Sequence, residues 1–169
     1  MYRKMKQEIV SVLVVNEANV LTRVVSLFGR RGFNIDSLTV SATNDPTLSR
    51  ITIVFSATEQ SMQQIITQTE KLEVVKSIFI LNRENSLYRE LLLLKVKAAV
   101  EERTVIKEIV DIYRGKVVDL SKESMIIELT GTPEKLNGFM DVMSDHEIME
   151  VCRTGITGIE SNAQRVGQN

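Results

Sequence analysis

The chain has 169 residues, 43% of them hydrophobic, a formal net charge of −1 and a single cysteine, Cys152. This composition allows a packed core in one ordinary domain or two small ones without disulfide bonds, and it excludes a thiolate metal cluster. The near-neutral charge argues against a nucleic-acid partner, which usually leaves a basic surface. The first ten residues lack the apolar stretch of a secretory signal, and the longest apolar runs, such as Leu91–Leu94, have four residues and are too short to span a bilayer. We therefore expect a soluble, cytoplasmic protein.

The first half of the chain reads as β-α-β-β-α-β. A strand at 9–15, "IVSVLVV", is followed by a helix at 20–31 whose apolar residues recur every three or four positions. Gly32 is placed to supply its left-handed C-terminal cap. "SLTVSA" and "SRITIVFSA" predict two strands around an Asn-Asp-Pro turn. A second helix carrying Met62 and Ile65 on one face, and a strand at 74–81, complete the unit.

The same order then starts again after the polar stretch "NRENS". "YRELLLLKVKA" predicts a strand, and a helix with Ile106 and Val110 on its inner face follows it and ends at Gly115. "KVVDL" and "SMIIELTG" predict two further strands. Thr132 and Pro133 open the last helix, since proline suits the first helical turn. "IMEVCRTG" closes the sheet, and the tail "SNAQRVGQN" is predicted to fray.

This repeat predicts an α+β protein of two tandem ferredoxin-like βαββαβ domains, at 8–82 and 87–160. Strands such as "IVSVLVV" and "VVKSIFIL" are apolar at nearly every position, which indicates burial on both faces. Helices cover only one face of such a sheet. The other face or the sheet edge must be covered by the second domain or by another subunit, so we expect a homodimer.

No group of residues predicts catalysis or a resident metal. His146, the only histidine, lies in the polar loop "SDHEIME" without a nucleophile nearby in sequence, and Cys152 lies in an apolar strand, where we expect a buried, inert thiol. There is no phosphate-binding glycine motif. The strands also lack the exposed aromatic pairs that stack bases in RNA-binding modules of this topology. The sequence thus predicts neither an enzyme nor a nucleic-acid-binding or membrane protein.

Two asparagines flank the first helix and are candidates for a binding site. Asn16 follows the first strand and Asn34 precedes the second, and we expect these strands to be neighbours that bring both amides to one edge of the sheet. The free N–H groups of the helix N-terminus would open at that edge and suit a carboxylate. Amides offer a donor and an acceptor for an amino acid, and Val20, Leu21 and Ile35 offer apolar contact.

A purely structural interpretation of the same residues is equally compatible with the sequence. Asn16 or Asn19 can act as a helix N-cap, and Asn34 can occupy a left-handed turn after Gly32. The two interpretations do not exclude each other, because a capping residue can also contact a ligand.

The segment "NEANVLTRVVSLFGRRGFNIDSLTV", followed by "DPTLSRIT", closely resembles the regulatory (small) subunit of acetohydroxyacid synthase, also called acetolactate synthase. The stretches "YRELLLLKVKA", "IVDIYRGKVVDLS", "IELTGTPEKLNGFM" and "EVCRTGITGI" extend the resemblance over nearly the whole chain. The combination of the "DPTLSR" hairpin with the "RGFNIDSL" turn is highly specific.

The resemblance implies an N-terminal ACT domain whose dimer binds a feedback inhibitor, usually valine. It further implies that the chain itself is not catalytic but activates a catalytic subunit in branched-chain amino-acid biosynthesis. Thiamine diphosphate, Mg²⁺ and FAD would belong to that partner. The positions that the resemblance assigns to the effector are Asn16, Asn19, Val20, Leu21, Asn34 and Ile35.

The chain departs from the family pattern at two of these positions. The family commonly has glycine where this chain has Asn19, and alanine where it has Val20. Asparagine is the next most tolerant residue for positive φ, so the turn is expected to survive. The larger side chains are expected to weaken or alter valine inhibition while activation stays intact.

A different function also fits an amino-acid-binding domain. An independent amino-acid sensor could act on a transcriptional or metabolic target. The sequence contains no helix-turn-helix segment and little excess positive charge, which weighs against direct action on DNA. A free-standing enzyme has no supporting group of residues.

Overall fold

The computed structural model describes residues 5–161, which form two compact units. The first unit runs to Leu87 and takes up the chain again from Ile156, whereas the second unit is Tyr88–Gly155. The predicted ranges 8–82 and 87–160 place the segment after Ile156 in the second domain. The assignment of effector binding and dimerisation to 8–82, and of a second domain to 87–160, stays a prediction. The predicted fraying of "SNAQRVGQN" concerns, beyond Ser161, residues outside the described range.

The first unit is a four-stranded antiparallel sheet with two helices on one face. Its strand order is β2-β3-β1-β4. The elements are β1 (Lys6–Val15), α1 (Val20–Arg30), β2 (Ile35–Ala42), β3 (Leu48–Ala57), α2 (Glu59–Glu70) and β4 (Val75–Ile80). Alternate residues of β1, Val10, Val12 and Val14, pack with Phe28 of α1 in the core between sheet and helices.

The second unit repeats this arrangement, with strand order β6-β7-β5-β8. Its elements are β5 (Ser86–Lys97), α3 (Arg103–Ile112), β6 (Lys116–Leu120), β7 (Ser124–Gly131), α4 (Pro133–Met143) and β8 (Ile148–Arg153). Its separate core includes Leu92 and Leu94 of β5, Ile106 of α3 and Phe139 of α4. The predicted α+β fold of two βαββαβ units is therefore confirmed.

A short strand that the sequence did not predict, β9 (Thr157–Glu160), follows β8 and pairs with β5. Ser161 then donates from its backbone N–H to the carbonyl oxygen of Asn85 at 2.8 Å. The chain therefore returns to the first unit after completing the second.

One residue after each of α1 and α3 adopts the left-handed conformation, but after α3 it is not the residue that the sequence predicts. Gly32 has φ of 77°, as its position after α1 predicts. After α3, however, the left-handed residue is Arg114, with φ of 56°, and not Gly115. Gly115 is required for a different reason, because a Cβ there would lie 3.2 Å from both the Glu128 carbonyl oxygen and Val110 Cγ1.

The second unit contains an ion pair whose carboxylate is buried and whose arginine is partly exposed. Glu90 on β5 is 7% exposed, and its carboxylate accepts from Arg153 Nε at 3.0 Å and Nη2 at 2.6 Å. Arg153 also donates from Nη1 to Asn137 Oδ1 at 2.9 Å, so one guanidinium joins β5, β8 and α4. A bidentate pair with this geometry is among the stronger charge-assisted contacts.

Candidate functional site

Asn16 fastens the β2–β3 hairpin to the end of β1. Its side-chain Nδ2 donates to the Pro46 carbonyl oxygen at 3.0 Å, and its Oδ1 accepts from Ser49 Oγ at 3.0 Å. Its backbone N–H also donates to the Thr47 carbonyl oxygen at 2.7 Å. Asn16 thus has a structural role in the chain, and it is not the cap of α1.

The hairpin that Asn16 holds is itself organised by Asp45. The Asp45 carboxylate accepts from Thr47 Oγ1 at 2.6 Å and from the Thr47 backbone N–H at 2.9 Å. These two bonds, the side-chain one first, hold the pKa of Asp45 below its ordinary value, since they favour the charged form.

We expect the hairpin to loosen in acid. A depressed carboxyl pKa contributes stability above the unfolded-state pKa, and this contribution disappears as the pH falls through the folded-state pKa. The backbone amide signal of Thr47, followed by NMR while the pH is lowered, should report the titration of Asp45. Asp45→Asn is the matched control, because it keeps an acceptor oxygen but has no titrating group. A Thr47 shift that titrates equally in this variant would contradict the assignment.

The N-terminus of α1 has an unusual entry at Asn19. This residue has φ of 66° and ψ of −1°, and its side chain makes no capping hydrogen bond. The expectation that Asn19 takes positive φ is therefore confirmed, whereas the expectation that its side chain caps the helix is not. The first-turn N–H groups of α1 are therefore not capped by this amide, and the first helical turn has no internal acceptors for them.

Val20 and Leu21 point to different surroundings at this helix end. Val20 is buried in the first core at 4% exposure, while Leu21 is 39% exposed. Only Leu21 therefore offers apolar surface beside the helix N-terminus. The extra methyl groups of Val20, relative to alanine, contact the core.

Asn34 and Ile35 lie at the start of β2. Asn34 Nδ2 donates to Asp36 Oδ1 at 3.3 Å, and Gln7 Nε2 of β1 donates to Asp36 Oδ2 at 3.3 Å. Ile35 is half-buried against the first core. The Asn34 amide is exposed and its bond to Asp36 is long, so little reorganisation is needed for it to meet a ligand.

The structure does not bring the two asparagines together, and the prediction that β1 and β2 are neighbours is wrong. β3 lies between them and is antiparallel to both. Val15, next to Asn16, is opposite Leu48, whereas Ile35, next to Asn34, is opposite Phe55. These β3 positions are seven residues apart, which is about 24 Å in a strand. Within one chain the six predicted residues thus form two separate groups at opposite ends of the sheet.

A groove along α1, which the sequence did not suggest, begins at Asn19. It is lined by Asn19, Thr22, Arg23, Ser26, Arg30 and Leu72. The α1 members recur every three or four residues, so a polar stripe on a helix was the available signal. Arg23 in the first turn of α1 and Arg30 at its end give this groove a positive character along the helix.

The sequence also singled out His146 and Cys152, which lie in the second unit. Within residues 5–161, no three His, Cys, Asp or Glu side chains cluster in a way that could hold a metal ion. His146 Nδ1 lies 3.9 Å from Glu102 Oε1. The expectation of a buried Cys152 is wrong, because the thiol is exposed on β8, opposite Leu93 of β5. None of the helices in this range is long and apolar enough to cross a membrane.

Comparison with known families identifies both halves of the chain. Residues 10–77 match the model described as AHAS small subunit-like ACT domain, so the first unit is an ACT domain. Residues 89–162 match the model described as small subunit of acetolactate synthase. The chain belongs to the family of acetolactate synthase small subunits.

Individual relatives are similar over nearly their whole length. The acetolactate synthase small subunit of Mycolicibacterium smegmatis is 45% identical over 157 residues, which cover 93% of this chain and 92% of the relative. The isozyme 3 small subunit of Escherichia coli is 39% identical over 154 residues, covering 90% and 94%. The crystal structure of the small subunit from Thermotoga maritima superposes with a TM-score of 0.85 at 37% identity, covering 92% of this chain and 97% of that one. The resemblance seen in the sequence is confirmed, and it supports a regulatory role.

Proposed function

We propose that this chain activates the catalytic subunit of acetolactate synthase in the cytoplasm and makes it sensitive to a branched-chain amino acid, with valine as the first candidate. The reaction and its cofactors, thiamine diphosphate, Mg²⁺ and FAD, belong in this proposal to the catalytic subunit. The observation that carries the effector part is the placement of the asparagines. Because Asn16 and Asn34 lie at opposite ends of one sheet, a site that uses both regions needs two copies of the chain.

Strand β2 is the edge through which the two copies would pair. It is the outermost strand of the first sheet, and most of its residues are exposed or half-buried, including Val40 at 46% exposure. An exposed edge strand with unused backbone groups is a template for another strand. Two β2 strands related by a two-fold axis would run antiparallel and extend the four-stranded sheet to eight strands.

This pairing would bring the two groups of predicted residues together across the interface. Antiparallel pairing puts the start of one β2, with Asn34 and Ile35, beside the end of the partner's β2. The N-terminus of α1 lies at that same end, because α1 starts after Asn16 and crosses over β3, where Phe28 contacts Phe55 at 5.2 Å between ring centroids. The dimer would then hold two equivalent sites.

The chemistry of these groups suits a free amino acid with an aliphatic side chain. First-turn N–H groups of α1 would bind the carboxylate. The Asn34 amide oxygen would accept from the ammonium, and Leu21 and Ile35 would contact the side chain. The Asn19 amide would stand beside the carboxylate, in place of the usual glycine.

Acetolactate formation by the cognate catalytic subunit tests this proposal. We expect the chain to raise the rate and valine to suppress the increase, with sedimentation showing a dimer. If the chain activates the catalytic subunit but valine does not suppress the increase, the partner assignment stands and valine is rejected as the effector. No activation, with valine binding intact, would favour an independent amino-acid sensor.

Replacing Asn19 by glycine tests the departure from the family pattern. Glycine also adopts positive φ, so the turn is kept while the amide beside the effector is removed. We expect Asn19→Gly to bind valine about tenfold more tightly in calorimetry, an amount typical of relieving one steric or polar mismatch. Tight valine binding by the natural chain, with no improvement in the variant, would contradict this expectation. Asn34→Ala in the same background should lose the gain.

A further inference from the structure

The segment after Gly155 is seated on the first sheet by specific hydrogen bonds. Thr39 Oγ1 on β2 donates to the Ile156 carbonyl oxygen at 2.8 Å, and Arg50 Nη1 on β3 reaches the Gly158 carbonyl oxygen at 3.5 Å. We refer to residues 156–161 as the return strand. Ile156 is 5% exposed, although it belongs to neither core cluster.

The return strand lies on the face of the sheet opposite the helices. Val10, Val12 and Val14 of β1 face the helices, so the alternate residues Ser11 and Leu13 face the other way. The register aligns Ser11 with Thr52 and Thr52 with Thr39, which puts Thr39 on this second face. Ser11 is 1% exposed, so this face is covered. The expectation that β1 is buried on both faces is confirmed.

Arg50 belongs to the same seat. Its guanidinium lies 6.0 Å from the ring centroid of Phe79 on β4, so it reaches across β1 over the second face. Within residues 5–161 Arg50 forms no ion pair with a carboxylate, and its polar contact is the Gly158 carbonyl oxygen. Arg50 contacts the Gly158 carbonyl oxygen and the Phe79 ring, and it therefore helps to position the return strand.

The return strand begins where the chain leaves the second unit. The boundary falls between Gly155, which has φ of 84°, and Ile156. A glycine at positive φ permits a backbone rotation that other residues resist. Two side-chain hydrogen bonds, from Thr39 and Arg50, join this strand to the first sheet, while β9 pairs with β5 and Ser161 bonds to the Asn85 carbonyl oxygen. The structure shows the strand seated on Thr39 and Arg50, and Gly155 is the candidate hinge next to the second unit.

We propose that the return strand is the element through which an effector bound to the ACT domain acts on the second unit, with Thr39 and Arg50 as the positioning residues that read out the state of the sheet. The proposal rests on the effector binding proposed above. Thr39 lies on β2, four residues from Ile35, so a rearrangement of β2 around a ligand displaces the hydroxyl that holds Ile156. The chain beyond the hinge then transmits the change.

The test compares variants in the full-length chain, assembled with its catalytic subunit. Thr39→Val removes one hydroxyl at nearly constant shape, and a double variant adds Arg50→Met, which keeps the apolar stem over Phe79. Ile156→Asp removes the buried anchor directly. Thr67→Val and Arg89→Met are controls, since Thr67 Oγ1 bonds only within α2 and Arg89 Nη1 contacts the adjacent Tyr88 carbonyl.

Three measurements separate coupling from binding. We expect the variants to activate the catalytic subunit normally and to bind valine within about twofold of the natural chain. The valine concentration needed for half-maximal inhibition should rise at least about fivefold. A change of this size corresponds to losing roughly one hydrogen bond from the free energy that couples the two units. Hydrogen exchange should be faster at 156–160 in the variants and unchanged in the controls.

Normal inhibition in all three variants would overturn the inference while leaving the proposed function intact. Loss of valine binding together with inhibition would also overturn it, because Thr39 and Arg50 would then belong to the effector site. If the natural chain itself neither activates nor binds valine, the proposed function fails first, and the inference fails with it.

Discussion

Two variants that each fail to bind valine are expected to recover binding when mixed. Leu21→Asp places a negative charge at the N-terminus of α1, where it suits the helix dipole but repels the effector's carboxylate. Asn34→Ala removes the amide at the other end of the sheet at the cost of one long bond to Asp36. Both residues are exposed, so neither change should disturb the core.

The recovery follows from the two-fold arrangement. If each site takes its α1 terminus from one copy and Asn34 from the other, a mixed dimer contains one doubly damaged site and one intact site. An equal mixture, with about half of its dimers mixed, should therefore bind about one valine for every four chains. Calorimetry after co-refolding measures this stoichiometry. Each variant alone should bind more than about tenfold more weakly than the natural chain.

The opposite outcome is equally clear. A site built within one chain would leave every site in the mixture with one defect, and binding would not recover. A mixture of the natural chain with Asn34→Ala serves as the control for site counting, because it should retain sites in proportion to the natural copies whether or not the dimers exchange.

The largest stability effect is expected at the ion pair between Glu90 and Arg153 in the second unit. Arg153→Met leaves the Glu90 carboxylate, 7% exposed, without its guanidinium. Removing one partner of a fully buried pair costs about 3–5 kcal/mol, and we expect a smaller loss here, about 2–3 kcal/mol, because the Arg153 side chain is 31% exposed. Denaturant unfolding, with hydrogen exchange to locate the effect in residues 88–155, measures the loss.

A matched pair on the same strand separates burial from charge. Lys97 and Glu147 also form an ion pair, at 2.8 Å, but their side chains are 55% and 65% exposed. Lys97→Met should therefore cost no more than about 1 kcal/mol. The double variant Glu90→Leu with Arg153→Met should return to within about 1–2 kcal/mol of the natural chain, since apolar replacements of buried pairs are often neutral. A double variant as unstable as Arg153→Met would show that the Asn137 contact or packing, rather than the unpaired charge, determines the loss.

Hydrophobic periodicity was sufficient to predict most helices and strands, because the repeats at Val20–Phe28 and Ile106–Val110 are long and strongly amphipathic. It did not determine which strands are neighbours. The chain passes from β1 through α1 to β2, which is not the next strand of the sheet, because β3 lies between them. Nothing in the local sequence indicates that β3 will occupy this place. The placement of Asn16 and Asn34 was wrong for this reason.

Two smaller differences have a similar origin. Cys152 lies among apolar residues, but β8 is an edge strand, and the face of the second sheet that carries Cys152 is exposed. An apolar run does not distinguish such a strand from a central one. The four-residue β9 is too short and too glycine-rich for any periodicity, and only its partner β5 gives it a strand conformation. In contrast, the positive φ of Asn19 was predictable, because residue type limits that conformation strongly.

The return of the last strand to the first unit has a consequence for synthesis on the ribosome. Residues up to Leu87 emerge about 70 residues before Ile156, an interval on the order of 10 s at typical elongation rates. During that time the second face of the first sheet, with Ser11 and Leu13, lacks the strand that later lies on it. The second unit, whose residues are contiguous, can finish folding earlier. The domain that is translated first is therefore completed last, and a nascent chain stalled before residue 156 would expose this sheet face, with Leu13, to chaperones.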